Sequence, residues 1–144
     1  MTSEGSDRPE VEEIPREECV ALLRGMVIGR IAVTLPDEPP FVVPVNYVLD
    51  DEVVVFRSDA GIKLARLQGH PASFQVDFID PFHRTGWSVL VQGVAREVTH
   101  AEVDHLSLAS WAGATRHWVR LVPASITGRR IVLPEIEIET RGYR

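Results

Sequence analysis

The sequence predicts one mainly β domain with short helices, in which about six antiparallel strands form a closed or partly closed barrel. Three observations support this fold class. Apolar, β-branched segments recur at short spacing and are separated by turns rich in Gly, Pro and Asp. These segments carry apolar residues on both faces, as the strands of a small barrel do. A chain of 144 residues suffices for one such core and leaves no room for a second domain.

The first predicted element is a helix that begins near Pro15 and ends at Gly25 or Gly29. Proline suits the first position of a helix. The apolar residues that recur at helical spacing are Cys19, Val20, Leu22, Leu23 and Met26. Because Cys19 is the only cysteine and lies in this apolar stripe, we expect a buried structural thiol rather than a nucleophile or a disulfide.

Strands follow in order, with two further short helices between them. The second and third strands form a hairpin through the turn at Asp50 and Asp51, and Gly93 predicts a bulge in the fifth. The pair Thr127-Gly128 predicts a turn into a last short strand. The predicted strands are Arg30–Leu35, Phe41–Leu49, Val53–Ser58, Ser73–Ile79, Trp87–Val98, Trp118–Ile126 and Arg130–Leu133, and the helices are Ile62–Leu67 and His100–Trp111.

Composition divides the chain into three segments and argues against several classes of function. We expect residues 1–13 to be a disordered lead, residues 14–134 the barrel domain, and residues 135–144 a tail or an extra strand. The formal net charge of −6 argues against general affinity for nucleic acid or anionic membrane. No apolar run is long enough to cross a bilayer, so we expect a cytoplasmic protein. The histidines lack metal-ligand spacing, and no metal site is expected.

The most informative motif lies where the third strand gives way to the helix at Ile62. Arg57 offers a planar guanidinium, Ser58 a hydroxyl and Lys63 a compact positive charge. The first amides of a helix also point outward, and its dipole favours an anion there. This combination suits a terminal phosphate. The alternative is that Arg57 and Lys63 pair with Asp59 or Asp77 on a solvated edge.

Two further groups of side chains are candidates for a flat ligand. Trp118 and Arg120 share one face of a strand, where they could stack on and clamp an anionic ring, or form an ordinary barrel rim. Asn46 offers a donor and an acceptor on the face opposite Tyr47, for a heterocycle edge or for a local backbone group. Ser88 and Gln92 share a face of the fifth strand. Core packing with a polar outer row is the alternative there.

In this order and spacing, these segments resemble the pyridoxamine 5'-phosphate oxidase-like, FMN-binding split-barrel family. The resemblance runs from Cys19 to about Arg130 and is strongest to the branch of nitroimidazole-resistance proteins and actinobacterial flavin- or deazaflavin-binding proteins. The matching segments are Cys19-Val20-Ala21-Leu22-Leu23, Gly29-Arg30-Ile31-Ala32-Val33, Pro44-Val45-Asn46-Tyr47, Phe56-Arg57-Ser58, Gly61-Ile62-Lys63-Leu64, Trp87-Ser88-Val89-Leu90-Val91-Gln92-Gly93 and Ile126-Thr127-Gly128-Arg129.

The resemblance implies a six-stranded split barrel that forms a homodimer, with FMN at the subunit interface. Arg57, Ser58 and Lys63 would hold the phosphate, with amides from Gly61 and Ile62 and with Leu64 closing that motif. Pro44, Val45, Asn46 and Tyr47 would lie along the isoalloxazine. The partner subunit would contribute Trp87, Ser88 and Gln92, and Trp118 with Arg120 would close the substrate side.

The implied function is a flavin-dependent oxidoreductase that transfers hydride or electrons between small molecules. The alternative is a non-catalytic carrier of flavin or deazaflavin. Because a flavin supplies the redox chemistry itself, no catalytic side chain is named. The family's vitamin-forming oxidases carry an arginine-rich C-terminal segment, whereas this chain has Pro134-Glu135-Ile136-Glu137-Ile138. We therefore do not expect it to oxidise pyridoxamine phosphate.

Overall fold

A computed structural model describes residues 10–58, 69–106 and 117–132, which form seven strands and two helices. The elements in chain order are β1 (Glu10–Ile14), α1 (Arg16–Arg24), β2 (Ile28–Val33), β3 (Phe41–Asp50), β4 (Val53–Ser58), β5 (Pro71–Asp80), β6 (Thr85–Val98), α2 (His100–Val103) and β7 (His117–Val132). No helix in these ranges is both long and apolar enough to cross a bilayer.

Six of the strands close into an antiparallel barrel, which confirms the predicted fold class. The order around the sheet is β7-β4-β3-β2-β5-β6, and β6 pairs again with β7 to close the ring. The seventh strand, β1, pairs with the C-terminal part of β7. Strand β7 therefore has three partners, which is possible because β4 and β1 occupy different lengths of the same edge.

The barrel interior is filled by alternate residues of every strand. On β4, for example, Val54 and Phe56 face inward and have no exposed surface. Helix α1 packs against this interior through Cys19, Val20 and Leu23. Cys19 is buried and its Sγ lies 3.5 Å from the carbonyl oxygen of Ile14, which fits the structural role predicted for this thiol.

The predicted bulge at Gly93 is present, and its cause is a close approach between strands. The register of β6 against β7 shifts between Gln92 and Gly93. A Cβ atom at position 93 would collide with the carbonyl oxygen of Val122 and crowd the Cα of Pro123. Glycine at this position lets the two backbones lie closer than any side chain would allow.

Two predictions at the chain's edges are wrong. Residues 10–13 belong to β1 rather than to a disordered lead, because Glu12 and Glu13 lie opposite Arg130 and Arg129 across the β1–β7 pair. Thr127 and Gly128 do not turn, and β7 runs through them to Val132. Gly128 is instead a packing position, where a Cβ would collide with the Sγ of Cys19.

The remaining predicted elements either correspond to elements of the structure or lie partly or wholly outside the described residues. Of the helix expected over His100–Trp111, α2 forms over His100–Val103, and residues 107–116 are not described. The helix expected over Ile62–Leu67 and the tail from residue 135 also lie outside the described ranges.

We expect Gly93→Ala to destabilise the fold by about 1–3 kcal/mol, since the added methyl group meets backbone atoms that cannot rotate away. Urea unfolding followed by circular dichroism measures this. Gly25→Ala is the matched control, because position 25 has φ −81° and a Cβ there would lie 3.5 Å from the nearest atom, the Leu22 carbonyl oxygen. The control should stay within about 1 kcal/mol of the unaltered chain. Equal stability of both variants would contradict the close approach.

Candidate functional site

Arg57 is next to last in β4 and projects from the outer wall of the barrel. Its neighbours in sequence alternate, with Val54 and Phe56 inside and Val55 and Arg57 outside. In the adjacent strand β7, Trp118 lies opposite Arg57 and Arg120 lies opposite Val55. The structure thus places Trp118 and Arg120 on one patch of outer wall, as their strand positions predict, and adds Arg57 to the same patch. Ser58 is the last residue of β4.

The guanidinium of Arg57 stacks on the indole of Trp118. The Arg57 Cζ atom lies 4.9 Å from the centre of the ring, within the range of a cation–π interaction. Trp118 itself is buried, with 7% of its surface exposed. Its ring therefore faces Arg57 rather than open solvent.

A small second core surrounds Trp118 on this outer wall. Val55, Val98 and Val103 are buried there with Trp118, and Leu106 packs against them. Val103 ends α2, so this short helix covers part of the outer wall. His100 at the start of α2 places its ring edge-on to Trp118, with 6.2 Å between ring centres.

Arg120 lies beside Asp50 at the edge of the same patch. Its Nη2 atom is 3.7 Å from the Asp50 Oδ2 atom, and the His105 Nε2 atom is 3.5 Å from that same oxygen. The Nε atom of Arg120 is buried and has no hydrogen-bond partner within the described part of the chain. This donor is suited to an acceptor outside the described residues, such as a bound anion.

The β3 candidates divide between the two sides of the barrel wall. Val45 and Tyr47 face the core, whereas Pro44 is exposed and Asn46 is half-buried on the outer wall. The Asn46 side-chain amide donates to the Val27 carbonyl oxygen at 3.2 Å. This is the local backbone contact that stood as the alternative for Asn46.

Tyr47 is a structural residue of the core. Its hydroxyl donates to the carbonyl oxygen of Leu23 in α1, and its ring meets the Phe74 ring edge-on at 4.9 Å. Burial raises the pKa of the Tyr47 hydroxyl well above its ordinary value near 10. The Tyr47 side chain is therefore not available to a ligand on the outer wall.

The β6 candidates are similarly divided. Trp87 packs against the core, and Ser88 lies on the outer wall. Gln92 is exposed on the same wall and donates to the Ser73 Oγ atom at 3.4 Å. Ser88 borders a cleft of about 430 Å³ whose other lining residues are Gln75, Leu90, Thr127, Gly128 and Arg129.

The β3 and β6 groups lie on opposite sides of the barrel. Counting along the sheet, three steps separate β3 from β6 in either direction around the six-stranded ring. The outward side chains of Asn46 and of Ser88 therefore point in opposite directions. Within one chain the structure does not bring these two groups together.

Sequence reasoning missed Arg30, which lies on the outer wall beside Pro44. It is paired in register with Pro44 on one side and Gln75 on the other, and its Nη1 atom is 3.4 Å from the Asp77 Oδ1 atom. The alternation of β2 could have predicted its position, because Ile31 and Val33 face the core and Arg30 therefore faces outward. The phosphate-motif residues Gly61, Ile62, Lys63 and Leu64 lie outside the described residues.

No group of three or more potential metal ligands comes together in residues 10–58, 69–106 and 117–132. Of the histidines in those ranges, His83 and His117 each pair with a single carboxylate, Asp80 and Glu97. The cationic patch around Arg57 is the candidate for ligand binding because it joins two arginines and a buried aromatic ring on one wall.

The family model for pyridoxamine 5'-phosphate oxidase matches residues 15–130 of the chain. This chain belongs to the pyridoxamine 5'-phosphate oxidase family. The closed six-stranded barrel is the split barrel of pyridoxamine phosphate oxidase-like proteins, as the sequence resemblance predicted.

Individual relatives within this family match over most of their length. The FAD binding protein from Mycobacterium smegmatis is 36% identical and superimposes with a TM-score of 0.70 over 82% of this chain and 96% of that one. A FAD-binding protein from Mesorhizobium loti is 27% identical, with a TM-score of 0.72 over 86% and 98%. An uncharacterized protein of Mycobacterium tuberculosis is 31% identical over 137 residues, or 85% of this chain and 87% of the relative.

We expect Tyr47→Phe to change how the stability of this oxidase-family barrel depends on pH. The folded-state pKa of Tyr47 is raised, so its stabilising contribution is complete below the unfolded-state pKa of about 10. Above that pH the unfolded tyrosine ionises first, and the free energy of unfolding falls by up to about 1.4 kcal/mol per pH unit.

Urea unfolding at steps from neutral pH to about pH 11 tests this, with the unaltered chain and Tyr47→Phe measured side by side. At neutral pH the two should differ by a constant amount, owing to the lost hydrogen bond to Leu23. Above about pH 10 the unaltered chain should lose stability more steeply. Two curves that stay parallel throughout would show that Tyr47 does not titrate abnormally.

Proposed function

We propose that this chain binds a flavin nucleotide and uses it as an oxidoreductase acting on a small molecule. The observation that carries the proposal is the stacked Arg57 guanidinium on the outer wall of a pyridoxamine 5'-phosphate oxidase-family barrel. Two relatives of nearly full-length coverage are named FAD-binding proteins, which supports a flavin as the ligand. FMN is the form that the sequence predicts, and FAD and deazaflavin are the alternatives that the experiment below separates.

The residues of the patch fit an anionic cofactor. Arg57 and Arg120 project from the same wall, and the buried Arg120 Nε atom has no partner among the described residues. Arginine presents paired N–H groups in one plane, which suits phosphate oxygens. In the proposal, Arg57 and Ser58 hold the phosphate together with Gly61, Ile62, Lys63 and Leu64. Pro44, Asn46 and the backbones of Val45 and Tyr47 border the ring.

When bound, a flavin supplies hydride and electron transfer, which amino-acid side chains do not. The role left to this chain is to bind the cofactor, orient it and admit a small electron donor or acceptor. No protein acid or base is assigned. A carrier would use the same patch, so turnover with a reduced nicotinamide and a quinone or nitro compound is the measurement that separates the two functions.

The proposal includes a homodimer whose cofactor sites lie between subunits. Pro44 and Asn46 point away from Ser88 and Gln92 because β3 and β6 are on opposite sides of the ring. One flat ligand therefore contacts both groups only if two chains contribute, each with one face. Exposed apolar side chains beside the β3 group, Ile28 and Val42, also favour a covered surface.

We expect the full-length protein to bind flavin, and Arg57→Gln to weaken FMN binding by about 10- to 100-fold, because a charge-assisted contact to phosphate is lost. The absorption spectrum of the isolated protein, mass identification of what it releases on denaturation, and fluorescence titration measure this. Arg16→Gln is the matched control, since Arg16 is half-exposed and pairs with Glu52 outside the patch. A chain that binds no flavin, or an Arg57 variant with unchanged affinity, would contradict the proposed site.

We expect mixing of two defective variants to restore binding if the site spans two subunits. Arg57→Gln and Gln92→Ala each damage every site of their own homodimer. After mixing with subunit exchange, half the dimers are mixed and each of these has one intact site, so about a quarter of all sites should recover. Sedimentation gives the dimer, and titration counts the high-affinity sites. No recovery in a mixture whose subunit exchange has been confirmed would contradict a site shared between two chains.

A further inference from the structure

Two arginines lie directly opposite each other on the outer wall, where β6 pairs with β7. Arg96 of β6 is in register with Arg120 of β7. The adjacent residues Ala95 and Leu121 are paired in the same way and are buried in the barrel core, so both arginine side chains point outward. Like charges in directly opposed positions of an antiparallel pair repel each other and destabilise the pair. The barrel thus holds two positive charges side by side at a cost in stability.

The charge of this arginine pair is only partly balanced within the described part of the chain. The Asp50 Oδ2 atom lies 3.7 Å from the Arg120 Nη2 atom, close enough for an ion pair but too far for a hydrogen bond. No ion pair or hydrogen bond joins the exposed Arg96 side chain to another residue in 10–58, 69–106 and 117–132. The Arg120 Nε atom is buried and has no partner in those ranges either. The pair therefore has excess positive charge and a donor that needs an acceptor.

The arginine pair lies close to the end of β4, where the proposed function places the phosphate of the flavin. Arg120 is opposite Val55, three residues before Ser58 at the end of β4. Three residues of a strand span about 10 Å. A ligand that extends from the end of β4 across the outer wall onto β7 therefore passes over Arg120 and Arg96.

Beyond the arginine pair, the same wall carries an apolar row. Val122 and Val94 are opposite each other, each two residues from its arginine and on the side away from Ser58. Pro71 of β5 is opposite Val94, and the two valines are 50% and 45% exposed. From the end of β4 the wall thus presents the phosphate motif, the arginine pair and an apolar surface. A dinucleotide has a matching order of first phosphate, second phosphate and flat base.

We propose that Arg96 and Arg120 form a second anion site, which binds the second phosphate of a flavin dinucleotide, so that this chain binds FAD more tightly than FMN. The inference rests on the proposed function, which places the first phosphate and leaves the nucleotide open. A phosphate between the two arginines relieves their repulsion and accepts a hydrogen bond from the Arg120 Nε atom. FMN ends at its first phosphate and leaves this site empty.

Calorimetric titration of FMN and of FAD into cofactor-free, full-length protein tests the site. We expect the unaltered chain to bind FAD about tenfold more tightly than FMN, and Arg96→Gln to remove that difference by weakening FAD alone. Arg96→Lys keeps the charge but lacks the planar fork, and its affinity for FAD should be intermediate. Arg16→Gln is the matched control, because Arg16 pairs with Glu52 outside this row and its loss should leave the FAD-to-FMN ratio unchanged.

Urea unfolding of the cofactor-free protein gives a second readout that requires no flavin. Because Arg96→Gln removes the repulsion across β6 and β7, the urea midpoint should rise. The midpoint of Arg16→Gln should not rise, since that variant loses an ion pair. A midpoint for Arg96→Gln that is unchanged or lower would contradict the excess charge on which the site depends.

The binding data separate failure of the second site from failure of the proposed function. Equal losses of FMN and FAD affinity in Arg96→Gln, or an unaltered chain that binds FAD no more tightly than FMN, would overturn the second phosphate site and leave flavin binding intact. If Arg96→Gln binds both flavins normally but inorganic phosphate more weakly, the pair is a site for a free anion and the dinucleotide assignment is overturned. An unaltered protein that binds neither flavin would overturn the proposed function instead.

Discussion

The pairing of β7 with three other strands is the constraint on which the rest of the molecule depends. Its residues pair with β6 along nearly the whole strand, with β4 near its start and with β1 near its end. The pairing with β6 closes the barrel. The pairing with β4 fixes Trp118 opposite Arg57 and Arg120 opposite Val55. A shift of one residue would turn Trp118 into the barrel and leave Arg57 without its stacking partner.

Two packed cores share the wall formed by β4 and β7. Phe56 and Leu121 belong to the interior, while Val55 and Trp118 belong to the outer cluster under α2. These strands are therefore buried on both faces near Arg57, which explains why β4 is continuously apolar from Val53 to Phe56 rather than alternating. A wall supported from both sides is rigid, and a binding group attached to it has a defined position.

Local patterns predicted most of the fold, because strands, the Asp50-Asp51 hairpin and the Gly93 bulge are encoded by nearby residues. The predictions that proved wrong depend on contacts between residues far apart in the sequence. Residues 10–13 look disordered until Arg129 and Arg130 supply partners from the far end of the chain. Strand alternation correctly placed Asn46 opposite Tyr47. It could not say which of the two faces the core, and the hydroxyl of Tyr47 proves to bind α1.

The interior of this six-stranded barrel is filled by its own side chains, so the proposed nucleotide cofactor would bind on the outer wall. Water and salt screen charges on such a wall. Electrostatic attraction between one exposed arginine and an anionic ligand therefore adds little to the free energy of binding. Affinity must then come from donors already fixed in place, or from a second surface that excludes water. Stacking on Trp118 fixes the orientation of the Arg57 guanidinium. In the proposed homodimer, a second chain would supply the second surface, because Asn46 and Gln92 lie on opposite sides of the ring.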